Sequence, residues 1–424
     1  MWTKKFLEIF KHKDLRKKIL FVFVMMVIFR AAASIPIPGI DAARLSAFFS
    51  RNQFFGLMNI FTGGALERLS VVMLGIGPYI TAIIIMQLLT LVFPRLEELY
   101  KEEGEEGQRK FNQYARILTV PLAILQSFAM LKVLQGQKVI VGFTTFHLIT
   151  SIITITAGAM FLMWIGELIT EKGIGNGISL LIFAGIISGV PASIRQSAIT
   201  WDPSQLPAWL AFIAVALIIM VGVVIINEAR RNVPVSYAKR VRGHKMYGGV
   251  QTYLPMMVNP AGVMPIIFAM SIMLIPGMLG SAFKGSSITF LATVANFLNN
   301  LFQRQLVYGL SYFILVVLFT YFYTAVTFDP NNVSENLQKM GGFIPGIRPG
   351  ENTANFLRHI LNRVLFVGAI FLGIIAVMPS VVQGLTGIST FGFVLGGTSL
   401  LIIVAVVLET MAQIKGELEM RSYE

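Results

Sequence analysis

The side chains able to do covalent or metal chemistry are few and badly placed for it. The chain has no cysteine and four histidines, which removes disulfides, thiolate nucleophiles and thiolate metal sites together. His12, His147, His244 and His359 are scattered through predicted loops and termini, with no pair at helical ligand spacing, so no metal site is expected. The glycine-rich GIGNGIS at 173–179 follows an apolar helix rather than a strand and matches no Walker A pattern. Its chemistry is that of a tight turn. Charges at membrane depth are few: Arg30, and Glu167 near the inner end of the fourth apolar run. An ion-coupled transporter needs carboxylates or paired charges near the membrane midplane, and an intramembrane enzyme needs a Ser/His pair, paired Asp or a metal cluster at depth. The residues argue against both classes, and no cofactor is implied.

The elements that carry these residues are membrane spans. Of 424 residues, 55% are hydrophobic and 13% charged, and the mean hydropathy is +0.73, where soluble domains carry about 25% charge. Apolar runs near 19–38, 76–93, 116–135, 148–169, 178–198, 208–226, 260–280, 305–327, 363–380 and 390–411 predict ten spans in an all-α polytopic protein. Most of the 34 Lys and Arg fall before the first span, in alternate loops and in the tail. The positive-inside rule then puts both termini in the cytosol. The net charge of +13 is explained by this bias without DNA binding. Residues 1–18 read as a basic interfacial helix, and the first span as uncleaved. A divide near 201–207 gives five spans on each side, 1–200 and 201–424, and an odd number per half inverts the second half.

One stretch is costly in lipid. Residues 52–94 hold a short, weakly amphipathic piece, a break at Gly75, Gly77 and Pro78, and an unbroken apolar run to Pro94. Such a break survives only where it lines a cavity. Gln87, Gln126 and Asn259 are polar residues within or at the ends of spans and need partners or water. Arg30 reads as a snorkelling or structural charge. Arg348 stands between Pro345 and Pro349 in FIPGIRPG, so the loop presents it with little ordering cost. A solvated arginine and a partner contact are both open readings there.

Several stretches in order, IPIPGID (35–41), FTGGALERLSV (61–71), GIGPYITAIIIMQLLT (75–90), FLMWIGELITEKGIGNGISLLIFAGI (161–186), YAKR (237–240), NPAGVMPIIFA (259–269), GGFIPGIRPGENTA (341–354) and GGTSLLI (396–402), closely resemble the SecY family. The resemblance covers nearly the whole chain. It implies two five-helix halves around an hourglass pore that conducts unfolded polypeptides and releases transmembrane segments into lipid. A plug helix would occupy 61–72, with Phe61, Thr62, Gly63, Gly64, Ala65, Leu66, Glu67, Arg68, Leu69 and Ser70 at its centre. The constriction ring falls on Ile80, Ile84, Ile182, Ile186, Ile267 and Ile402. By residue type alone each is a packing or lipid-facing isoleucine. Gln87, Gln126 and Asn259 map to a lateral gate between spans two and three and spans seven and eight. Arg240, Arg242, Lys245 and Arg348 map to loops that engage the SecA ATPase or the ribosome, with SecE and SecG as companion subunits and signal sequences as ligands. The location implied is the bacterial inner membrane.

Overall fold

The computed structural model describes residues 12–37, 62, 64–66, 68–101, 103–136, 139–140, 144–199, 206–237, 240–242, 245–247, 251–283, 293, 305–386 and 397–421. Ten helices of 16 or more residues each overlap one predicted span. They are α1 (Lys13–Ala32), α2 (Gly77–Val92), α4 (Gly104–Gly136), α5 (Thr145–Lys172), α6 (Gly177–Ile199), α7 (Leu206–Glu228), α8 (Met264–Phe283), α9 (Gln305–Thr327), α11 (Glu351–Thr386) and α12 (Gly397–Arg421). Two short helices, α3 (Pro94–Lys101) and α10 (Pro330–Lys339), complete the described set. By length and composition alone, five described helices can cross a membrane, or up to six if the bent pair of α2 and α3 is one span.

Where α4 and α11 begin shows what the apolar runs miss. Both start twelve residues before the expected span, because polar segments continue the same helix beyond the apolar window. Likewise residues 13–18 are the first turns of α1 rather than a separate interfacial helix. Residues 1–11 and the expected divide at 201–205 lie outside the described residues.

The stretch before α2 differs from the expected half-helix. Its described residues from Thr62 to Ile76 run as successive turns. Leu69 sits at φ 42° and Gly64 at φ 78°, left-handed values that interrupt a regular helix. The Ser70 N–H bonds the Ala65 carbonyl five residues back at 2.9 Å. The segment is held instead by the chain leaving α1: Ile37 N–H donates to Leu69 O at 2.9 Å, and Val71 N–H to Ile35 O at 3.0 Å. A Cβ on Gly158 of α5 would stand 2.2 Å from the Val71 carbonyl, so only glycine lets these backbones come so close.

The basic loops form a small module. Strand β1 (Arg230–Tyr237) pairs antiparallel with β4 (Gln251–Met257), and its far end pairs with β5 (Gly342–Phe343), giving the order β4-β1-β5. Strands β2 (Arg240–Arg242) and β3 (Lys245–Tyr247) make a separate antiparallel pair. Val233, Val235 and Met256 pack with Leu337, Ile344, Leu357 and Leu361, so the sheet, α10 and the first turns of α11 share one apolar core. The larger core draws on all ten long helices.

Candidate functional site

All six ring isoleucines belong to that larger core. Ile80 and Ile84 come from α2, Ile182 and Ile186 from α6, Ile267 from α8 and Ile402 from α12, and each is at most 7% exposed. Four helices far apart in sequence therefore contribute these residues to one buried apolar core. Beside it lies a cavity of about 340 Å³. Ile80, Ile182 and Ile267 face this space, joined by Leu122, Leu125 and Gln126 of α4 and by Met270 and Ser271 of α8. Its walls are apolar, so it can accept a hydrophobic segment without stranding polar groups.

The turn segment forms part of the cavity wall. Thr62 lines the cavity, Leu66 and Leu69 are fully buried against a second cluster with Met130 and Leu134 of α4, and Ala65 joins the ring's own core. Gly64 and Ser70 are described with it, and Arg68 is exposed. Phe61, Gly63 and Glu67 lie outside the described residues.

The three polar seam candidates separate in the structure. Gln126 lines the cavity and donates from Nε2 to Thr81 Oγ1 at 3.5 Å, a bond from α4 to α2. Asn259 Nδ2 donates to Asn227 Oδ1 at 2.8 Å and to the Gly262 carbonyl at 3.0 Å, so it ties the start of α8 to α7. Gln87 is buried on α2, with no hydrogen-bond partner for its Oε1. The Oδ1 of Asn259 is likewise buried and without a hydrogen bond. Helices α2 and α4 both pack on α8.

The basic residues also part company. Arg348 is exposed on a turn whose own carbonyl accepts from Thr353 Oγ1 at 3.0 Å. Glycines at φ 83° (Gly346) and 97° (Gly350) flank it, and Ser334 Oγ donates to the Gly350 carbonyl at 2.7 Å. Arg240, Arg242 and Lys245 stand on the β2–β3 pair, with Arg242 opposite Lys245 in register. The expected turn at 173–179 is present: Asn176 Oδ1 accepts from Ile178 and Ser179 N–H groups at 3.1 and 3.3 Å, capping α6. Gly175 N–H donates to Gln413 Oε1 of α12 at 2.8 Å.

One functional grouping was not foreseen. Glu167 of α5 accepts from Arg116 Nε of α4 at 2.6 Å and from the Tyr79 hydroxyl of α2 at 3.3 Å. A deep acid calls for a partner, and Arg116 at the lip of the third apolar run was the available signal.

The SecY family model matches residues 70–411. The chain belongs to the SecY family. The protein translocase subunit SecY of Streptomyces galbus is 43% identical over 436 residues, covering 99% of this chain and 98% of that one. The SecY subunit of Thermotoga maritima is 42% identical over 435 residues, covering 100% and 97%. Among solved structures, a protein-conducting channel superposes at a TM-score of 0.62 with 20% identity, over 94% of this chain and 91% of the other. Canine Sec61 from a ribosome–channel complex gives 0.59 at 19% identity, with the same two coverages. At such identities the SecY and Sec61 structures speak for a shared fold, which the convergence of α2, α6, α8 and α12 makes concrete.

Proposed function

We propose that this chain is the channel subunit through which unfolded polypeptides cross a membrane, with a sideways exit for transmembrane segments between α2 and α4 on one side and α8 and α9 on the other. The observation that carries this reading is the meeting of six isoleucines from four helices beside an apolar cavity shared by α4 and α8. A ring of isoleucines can yield around a sliding chain and still exclude ions by dewetting. The turn segment 62–72 is the stopper on the ring. Segments that enter the seam partition into lipid, where Leu, Ile, Phe and Val are each favoured by about 0.3–0.6 kcal/mol at the helix centre.

The ten helices are ten spans, divided into inverted halves at about 200, with both termini and the sheet module in the cytosol of a bacterial inner membrane. Arg240, Arg242, Lys245 and Arg348 then face SecA or a translating ribosome, which supply the driving force, while SecE and SecG brace the halves. Gln87, Gln126 and Asn259 are polar points on the seam. A secondary transporter reading loses its best coupling group, because the Glu167 carboxylate is already engaged by Arg116.

Liposomes holding this chain with SecE, supplied with SecA, ATP and an unfolded secretory precursor, test the reading. Protease-protected precursor is expected. Accumulation of a small solute without precursor import would favour a transporter instead.

A further inference from the structure

The group formed by Arg116, Glu167 and Tyr79 lies outside the ring, the stopper and the loops, yet it sits directly behind one of them. Tyr79 immediately precedes Ile80. Helix α2 starts at Gly77 after a run of turns, has Pro78 in its first turn, and receives no side-chain cap from Ile76. Its first turn is closed by Gly77 N–H on Leu74 O at 3.2 Å and Ile80 N–H on Ile76 O at 3.1 Å, bonds that set its local form but not its position against the neighbouring helices. What fixes it from outside is the Tyr79 hydroxyl on Glu167 Oε1, and Glu167 is in turn fixed by Arg116 Nε at 2.6 Å. Three helices meet at one carboxylate oxygen. The side chain of Glu167 is 19% exposed, and in low-dielectric surroundings a charge-assisted bond is strong and directional.

We infer that Tyr79, Glu167 and Arg116 are positioning residues for the seal: they set the rotation and depth of the first turn of α2, and so hold Ile80 in the ring. None of the three lines the cavity. Loss of one hydrogen bond to a charged group should raise the population of a displaced Ile80 by about tenfold or more, and resting ion leak with it.

The inference rests on the ring being the seal, so a ring variant serves as reference. Resting conductance of the assembled channel in planar bilayers is measured for Ile182→Ser, Tyr79→Phe, Glu167→Gln and the double Tyr79→Phe/Glu167→Gln variant. Expected are leak from Ile182→Ser, leak raised about tenfold in Tyr79→Phe and in Glu167→Gln, and no further rise in the double, because Tyr79 acts through Glu167. SecA-driven import should persist in Tyr79→Phe, in Glu167→Gln and in the double variant. If Ile182→Ser leaks while Tyr79→Phe conducts no more than the unaltered channel, the positioning role is overturned. Additive leak in the double variant overturns it as well, since two independent packing defects would add. If Ile182→Ser itself does not leak, the ring reading falls and this inference falls with it. Tyr79→Phe removes a single oxygen from a well-packed ring, so it decides the matter even where Glu167→Gln fails to assemble.

Discussion

At the scale of single residues, Arg348 is the clearest case of a side chain displayed rather than used for packing. Its carbonyl accepts from the Thr353 hydroxyl, the Gly350 carbonyl two residues on accepts from Ser334, and its side chain stands in the open. Arg348→Glu should therefore leave stability within about 0.5 kcal/mol and still abolish SecA-dependent import, because charge reversal at a docking point both removes an attraction and adds a repulsion. Import into proteoliposomes, read beside the thermal melting of the same preparation, checks this. Normal import would return Arg348 to the class of solvated loop arginines. The presentation of Arg348 was legible from Pro345, Pro349 and their glycines. The isoleucines were not legible by type, since an isoleucine in a span looks the same whether it faces lipid, core or pore. Only the family resemblance singled them out, and only the structure places them in one cluster. The partnership of Arg116 with Glu167 was hidden for another reason: the two are 51 residues apart, and no periodicity within one helix reports a contact between two.

At the scale of elements, helices were readable and strands were not. A span of about 20 apolar residues announces itself, because the membrane leaves the backbone few alternatives. The strand RRNVPVSY carries two arginines and a proline, and it becomes a strand only by pairing with β4 and with β5, more than a hundred residues on. The expected plug helix departs in the opposite sense: residues 61–72 have helical spacing, but Leu69 and Gly64 adopt left-handed values, and pairing with Ile35 and Ile37 satisfies backbone groups that a helix would have used internally. The sheet module has its own core, distinct from that of the ring. Leu357 is fully buried in it. Leu357→Ala should destabilise the module by about 2–5 kcal/mol, seen as faster proteolysis of the segment 227–257. Import driven from the cytosolic side should fall while resting conductance stays at its original value. A rise in conductance would mean that the module and the ring are mechanically one body.

At the scale of the molecule, the contacts between the two sides are of two kinds. On one side of the bundle, α12 packs on α6 and α7, with Gly175 bonded to Gln413 and Lys18 to Glu417 at 2.7 Å. These bonds pair polar groups and tie the first part of the chain to the last helix. Across the seam, α2 and α4 meet α8 through apolar side chains around the cavity, and the side-chain hydrogen bonds of Gln126 and Asn259 each stay on their own side. An interface of apolar contacts in lipid has little to lose on opening, since lipid tails replace the contacts that are broken. The bonded side should thus act as the hinge and the seam as the side that parts. The absence of cysteine from the chain makes this directly testable. Gln126→Cys and Ser271→Cys place thiols on opposing walls of the same cavity, where a short, cleavable bis-maleimide can bridge them. With the bridge complete, precursor import and the release of transmembrane segments into lipid should both stop, and cleaving the bridge should restore them. A bridged channel that still releases segments into lipid would show that α4 and α8 do not part, and the exit would have to be sought between another pair of helices.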